Sequence, residues 1–113
     1  MKDKEVKLNT HLLEFMSGLS GTERDKYVRQ SPNTFIKFLV DLCFNTLLGN
    51  IELDSKILLK LQPQRKLIEA VCGKNISLKD RRKILQKKGF FSKVILPIIP
   101  FLVKRCNSVD KCI

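Results

Sequence analysis

The sequence predicts a small all-α bundle of five or six helices. Three observations carry this reading. Apolar residues recur at helical spacing along most of the chain, and strand-type alternation is almost absent. Helix-start residues and glycine stops follow one another at short intervals. A length of 113 residues, 43% of them hydrophobic and 29% charged, suits one packed domain and is too apolar for a disordered chain.

The elements follow in order. Thr10 is expected to cap a first helix running to about Leu19, with Leu12, Leu13, Phe15, Met16 and Leu19 on one face and Gly18 and Gly21 marking its end. Thr22 followed by Asp25 resembles a capping box opening a short polar helix, TERDKYVRQ. Ser31-Pro32 restarts the chain, since serine accepts from first-turn amides and proline at the first helical position loses no bond. The helix from 32 to about 48 is the most apolar element; ten residues from Phe35 to Leu48 are too many for one narrow stripe, which places it at the centre of the bundle. Gly49 supplies its left-handed cap. Asp54 caps a helix containing Ile57, Leu58, Leu59 and Leu61, which Pro63 breaks or bends. PQRKLIEAV continues with Leu67, Ile68 and Val71 inward, and Gly73 ends it. Ser77 with Asp80 starts SLKDRRKILQKK, which Gly89 stops. Residues 1–73 form the bundle, and residues 74–113 a basic helix plus a hydrophobic C-terminal segment expected to pack on the same domain.

Charge points to function. Up to Ser55 there are 7 basic and 8 acidic residues; beyond it there are 15 basic and 3 acidic, so the net +11 lies wholly in the second half. Self-repulsion of that size suggests a polyanionic partner, nucleic acid or an acidic membrane surface. Between Lys74 and Lys93 eight basic residues face one acid, Asp80. A helix through this run is expected to set Lys79, Arg82, Lys83 and Lys87 along one side, a line suited to phosphates. Asn and Gln are not grouped with Arg, and aromatics are not interleaved, so base readout is not implied.

The next stretch, FFSKVILPIIPFLV at 90–103, carries Phe90, Phe91, Val94, Ile95, Leu96, Ile98, Ile99, Phe101 and Leu102. Its fourteen residues fall short of the roughly 20 a spanning helix needs, and Pro97 and Pro100 interrupt it. It either folds back over the bundle, the preferred reading, or forms an exposed tail for a membrane surface or a partner.

The basic run, the glycine and the aliphatic stretch with Leu-Pro and Ile-Pro resemble the end of the adenovirus core protein mu (X) family. The span from Leu58 to Leu102 also resembles small basic virion-type proteins of Maverick/Polinton and adintovirus elements. The resemblance implies a DNA-packaging or virion-core role, with Arg81, Arg82, Lys83, Lys87 and Lys88 on phosphates, Gly89 as hinge and Ile95 to Leu102 as the hydrophobic segment. It implies a location in the virion and host nucleus. Gly89-Phe90 stands where that family has Gly-Gly, and long arginine tracts are missing.

The remaining residues argue against other chemistry. A single histidine, His11, and no tryptophan leave little for a histidine-based metal or catalytic site. No GxxxxGK[ST], GxSxG or acidic metal cluster occurs. Glu14, Glu23 and Asp25 lie close in sequence, but Glu23 and Asp25 sit on a polar helix and read as first-turn charges. Cys43 and Cys72 read as small buried hydrophobes, while Cys106 and Cys112 pair with each other, pair with another chain, or stay free. The polar start, MKDKEVKLN, predicts an intracellular rather than a secreted protein. The expected function is therefore non-enzymatic and cofactor-free: duplex nucleic-acid binding through Lys79, Arg81, Arg82, Lys83, Lys87 and Lys88, with no small-molecule substrate. The alternative is a helical module that binds a capsid or host protein or a membrane surface.

Overall fold

In the computed structural model α1 spans Asp3–Ser17, seven residues before the expected cap. The model describes residues 3–87 and 89–111, with side chains at 4–87 and 89–104. Val6 explains the early start. It lies four residues before Thr10 and seven before Leu13, so Val6, Thr10, Leu13 and Met16 make one buried stripe. Thr10 is thus an inward helical residue, its Oγ1 buried without a hydrogen-bond partner. Phe15 leaves the inner face and is 60% exposed, meeting Tyr27 edge-on at 6.3 Å.

The second helix, α2, covers Gly21–Gln30 and opens on Ser20 rather than Thr22. The Ser20 hydroxyl accepts from the Glu23 amide at 3.2 Å, and the Ser20 amide donates to Glu23 Oε1 at 3.3 Å. Glu23 reaches back across the turn, a reach the shorter Asp25 lacks. The third, α3, is Asn33–Leu47 with Pro32 at its N-cap. Ser31 does not cap it. Its hydroxyl turns back and donates to the Val28 carbonyl at 2.8 Å, closing α2.

Phe35, Ile36, Phe38, Leu39, Leu42 and Cys43 are buried along α3, whereas Phe44 and Leu48 are exposed. The helix has one broad apolar face, not a wholly buried circumference. Gly49 follows at φ +76°, a backbone setting that side chains disfavour.

Asp54 accepts from the Ile57 amide at 3.0 Å and caps α4, Ser55–Leu61. Pro63 sits in a 3-10 turn, Gln62–Gln64, that bends the chain into α5, Arg65–Val71. Ser77 accepts from the Asp80 amide and caps α6, Leu78–Leu85. Gly89, at φ +85°, turns the chain into a π-helical turn, Phe91–Ile95, continuous with α7, Leu96–Lys111. The π turn ends as the Leu96 amide donates to the Phe91 carbonyl, one residue before Pro97. Pro97 falls in the first turn of α7, directly after the π turn; Pro100 lies inside the helix with its ring exposed.

Phe90, Phe91, Val94, Ile95, Ile98, Ile99 and Leu102 are each no more than 6% exposed, with Leu96 and Phe101 half-buried. The hydrophobic segment is therefore core, not tail. It packs along α1, while α3 packs against α5 and α6 and touches α1, so both halves of the chain share one interior. Arg24 on α2 lays its guanidinium over Phe91 at 5.2 Å, adding a cation–π contact to this layer. No strand occurs among the described residues, and no helix among them is long and apolar enough to cross a membrane.

Cys43 is buried and Cys72 half-buried. Burial pushes the Cys43 thiol well above its ordinary value of 9.0, with Cys72 adding to the rise, and burial also raises Cys72 against an opposing pull from Arg81. The Cys106 side chain and Cys112 lie outside the described residues.

Two outcomes are expected. Ile98→Ala should lower stability by roughly 2–5 kcal/mol, as Leu39→Ala should, because each empties a fully buried site; urea midpoints for the two variants check this, and a near-neutral Ile98→Ala would make the segment an appendage. The second concerns pH. Below about pH 9 thiols are neutral in folded and unfolded chains alike; above it the unfolded thiol ionises while buried Cys43 does not, so stability falls as pH rises, by at most about 1.4 kcal/mol per unit. Denaturant titrations between pH 8 and 10.5 should show a shallower decline for Cys43→Ala.

Candidate nucleic-acid interface

Helical geometry divides the basic run in two. Arg81 lies three residues after Leu78 and four before Leu85, and Arg82 four after and three before. Both arginines therefore share the face of those two leucines, which packs on α3 and α5. Lys79 and Lys83 fall on the other side and are exposed, as is Lys87, two residues past the end of α6. The expected line of four loses Arg82 and keeps its three lysines.

Arg82 is spent inside the protein. Its Nη1 donates to the Val28 carbonyl at 2.8 Å, the Ser31 carbonyl at 2.8 Å and the Ser31 hydroxyl at 3.3 Å, and its Nη2 donates to Asn33 Oδ1 at 2.9 Å. The Val28 carbonyl, already met by the Ser31 amide and hydroxyl, gains a charged donor from Arg82, as does the Ser31 carbonyl just past α2, so α6 ties down the end of a helix about fifty residues away in the chain. Arg81 does the same locally. Its Nε donates to the Ile76 carbonyl at 3.3 Å, Nη1 to Val71 at 3.3 Å and Nη2 to Gly73 at 2.7 Å, closing the end of α5. Gly73 permits that tight loop, since a Cβ there would stand 2.6 Å from Ile76 Cδ1. The phosphate role expected of Arg81 and Arg82 is corrected accordingly: their donors already point at main-chain oxygens and, for Arg82, at the side chains of Ser31 and Asn33 as well.

The exposed lysines continue past the end of α6. At Gly89 a Cβ would lie 3.8 Å from Lys93 Nζ, so the Lys93 side chain folds over the glycine that follows the basic run. Lys93 is exposed, as is Lys74 before α6. Lys93 is the last of the eight basic residues counted in the sequence run, and its stem lies against Gly89. Lys88 lies outside the described residues. Four residues of helix rise about 6 Å, which separates Lys79 from Lys83 along α6, and Lys87 follows two residues past the helix end, all three on flexible stems.

His11 is exposed, with Nδ1 3.7 Å from Glu14. No three His, Cys, Asp or Glu side chains converge as a metal site among the described residues. An open, mainly apolar groove of about 340 Å³ runs between Val40, Phe44, Cys72 and Leu78, with Arg81 at its edge. No protein-family model, curated protein or solved structure matches the chain.

Arg82→Gln should destabilise the fold by about 2 kcal/mol, a fall in Tm of roughly 8 °C, because half-buried carbonyls lose a charged donor. Lys83→Gln, one residue on, should change stability by no more than about 0.5 kcal/mol. Thermal melts of the two variants check the division, and equal melts would return Arg82 to the solvent face.

Proposed function

We propose that this chain binds duplex nucleic acid without sequence preference, through Lys79 and Lys83 on the outer face of α6 and Lys87 just past its end, extended by Lys93 and Lys74. One observation carries the reading: in the half that holds the whole charge excess, α6 turns its arginines inward and leaves Lys79 and Lys83 in solvent, with Lys87 exposed just past its end. Ammonium groups on flexible stems suit phosphates as point charges, and each phosphate neutralised releases condensed counterions. The inward arginines remove the side chains best fitted to bidentate recognition of guanine, which supports backbone binding over base readout. The resemblance to adenovirus-like core proteins points the same way, toward a non-enzymatic virion-core or DNA-packaging role. The folded bundle around α3 would present the charged helix in a fixed orientation, unlike a condensing peptide that orders only on DNA.

The test is a salt titration on two unrelated duplexes with the native chain and the triple variant Lys79→Gln, Lys83→Gln, Lys87→Gln. Three lost phosphate contacts should flatten the slope of log affinity against log salt by about 2.7, at roughly 0.9 per phosphate. The variant should melt as the native chain does, since all three side chains are exposed. Equal slopes, or an affinity that differs between the duplexes by more than about tenfold, would defeat the proposal.

A further inference from the structure

A membrane-seeking tail at 90–103 was the alternative to packing on the bundle, and the apolar side chains of that stretch are core. The exposed apolar residues lie elsewhere. Leu48, just past the end of α3, is 59% exposed, and Leu58 and Leu59 on α4 are 53% and 68% exposed. Leu58 and Leu59 are not scattered. Together with Leu47, Leu61 and Ile68 they line one open groove of about 390 Å³ between the end of α3 and the bent α4–α5 arm.

The buried side of α4 is formed by Ile57 and Leu61, so Leu58 and Leu59 project away from the protein. Lys56 and Lys60, four apart on the adjoining face of the same helix, are exposed beside them. From Lys56 to Lys66 the chain carries four basic residues and no acid. Arg65 pairs with Glu69 at 2.8 Å, and Lys56, Lys60 and Lys66 are the other three.

We propose that Leu58 and Leu59 dock this protein onto an anionic lipid surface, Lys56 and Lys60 meeting the head groups. Leucines that protrude next to lysines fit a deformable apolar layer edged with negative charge, where long lysine stems reach outward as the leucines sink in. A second copy of the chain is a poorer occupant: an isologous contact would set the same lysines against each other. No helix among the described residues spans a membrane, so the contact lies in the interface plane. The proposal stands apart from nucleic-acid binding, since it rests on α4 and not on the lysines of α6.

The test is co-sedimentation of the full chain with vesicles of phosphatidylcholine alone and of phosphatidylcholine with phosphatidylserine. Binding is expected to the mixed vesicles. Leu58→Ser with Leu59→Ser should weaken it about tenfold or more, and Lys56→Gln or Lys60→Gln about fivefold each. The leucine variant should keep its duplex affinity and its thermal transition; if it loses the transition, Leu59→Asn alone, at the most exposed of the sites, takes its place. Absence of binding to mixed vesicles overturns the proposal. So does unchanged binding by the leucine variant, which would assign lipid attraction to charge alone. A native dimer that the leucine variant dissociates, seen by sedimentation equilibrium, would give the surface to self-association instead.

Discussion

The contact on which the displayed surface of this protein depends is the Arg82 guanidinium at the corner between α2 and α3. A helix end buried without donors is costly, and α2 ends against the body of the protein with Val28 almost fully buried. Arg82 meets the carbonyls of Val28 and Ser31 and the side chain of Asn33 at once. Charged hydrogen bonds of this kind are worth about 1.5–3 kcal/mol each when a neutral alternative would leave the acceptor unsatisfied. The contact also fixes the rotation of α6 about its own axis. With Arg82, Arg81 and Leu85 held inward, Lys79, Lys83 and Lys87 have only solvent to face.

The hydrophobic C-terminal segment works in the same direction. A chain with so large a basic excess repels itself, and a core of only the first five helices would have little apolar surface to set against that repulsion. Burying the segment from Phe90 to Leu102 against α1 supplies a second layer of aliphatic packing. The prolines that read as interruptions are absorbed locally, Pro97 by its place after a π turn and Pro100 by facing outward. With that segment inside, the exposed large apolar residues among those described are Leu8 and Phe15 on α1, Phe44 and Leu48 at the end of α3, and the pair Leu58 and Leu59 on α4; that pair forms one proposed surface, and the lysines in and just after α6 form the other. The two surfaces differ in chemistry and would act through different physics: counterion release for one, apolar insertion for the other.

Several elements were legible because local rules decide them. Asp54 and Ser77 cap their helices as expected, Gly49 and Gly89 adopt positive φ, and Pro63 bends the chain where it must. The errors share a cause. Thr10, Thr22 and Ser31 all have cap chemistry, yet Thr10 lies inside a helix that Val6 extends backward, Ser20 outcompetes Thr22, and Ser31 closes α2 instead of opening α3. Side-chain hydroxyls offer the same bond to several nearby amides and carbonyls, so which one is used depends on where the neighbouring helix lies. The inward setting of Arg81 and Arg82 was, by contrast, readable from their spacing to Leu78 and Leu85; charge density obscured it.

The sequence by itself determined the helical class, the placing of most breaks and the concentration of positive charge in the second half, because propensity, capping and composition are local properties. Tertiary structure decided what each charge and each apolar stretch is for. Arg82 is a structural donor because α2 happens to end beside α6, and no pattern within the basic run encodes that neighbour. Residues 90–102 are core because α1 offers them a matching apolar stripe, and Leu58 and Leu59 are surface because nothing among the described residues covers them. Burial is a property of pairs of elements, and a one-dimensional pattern names only one member of each pair.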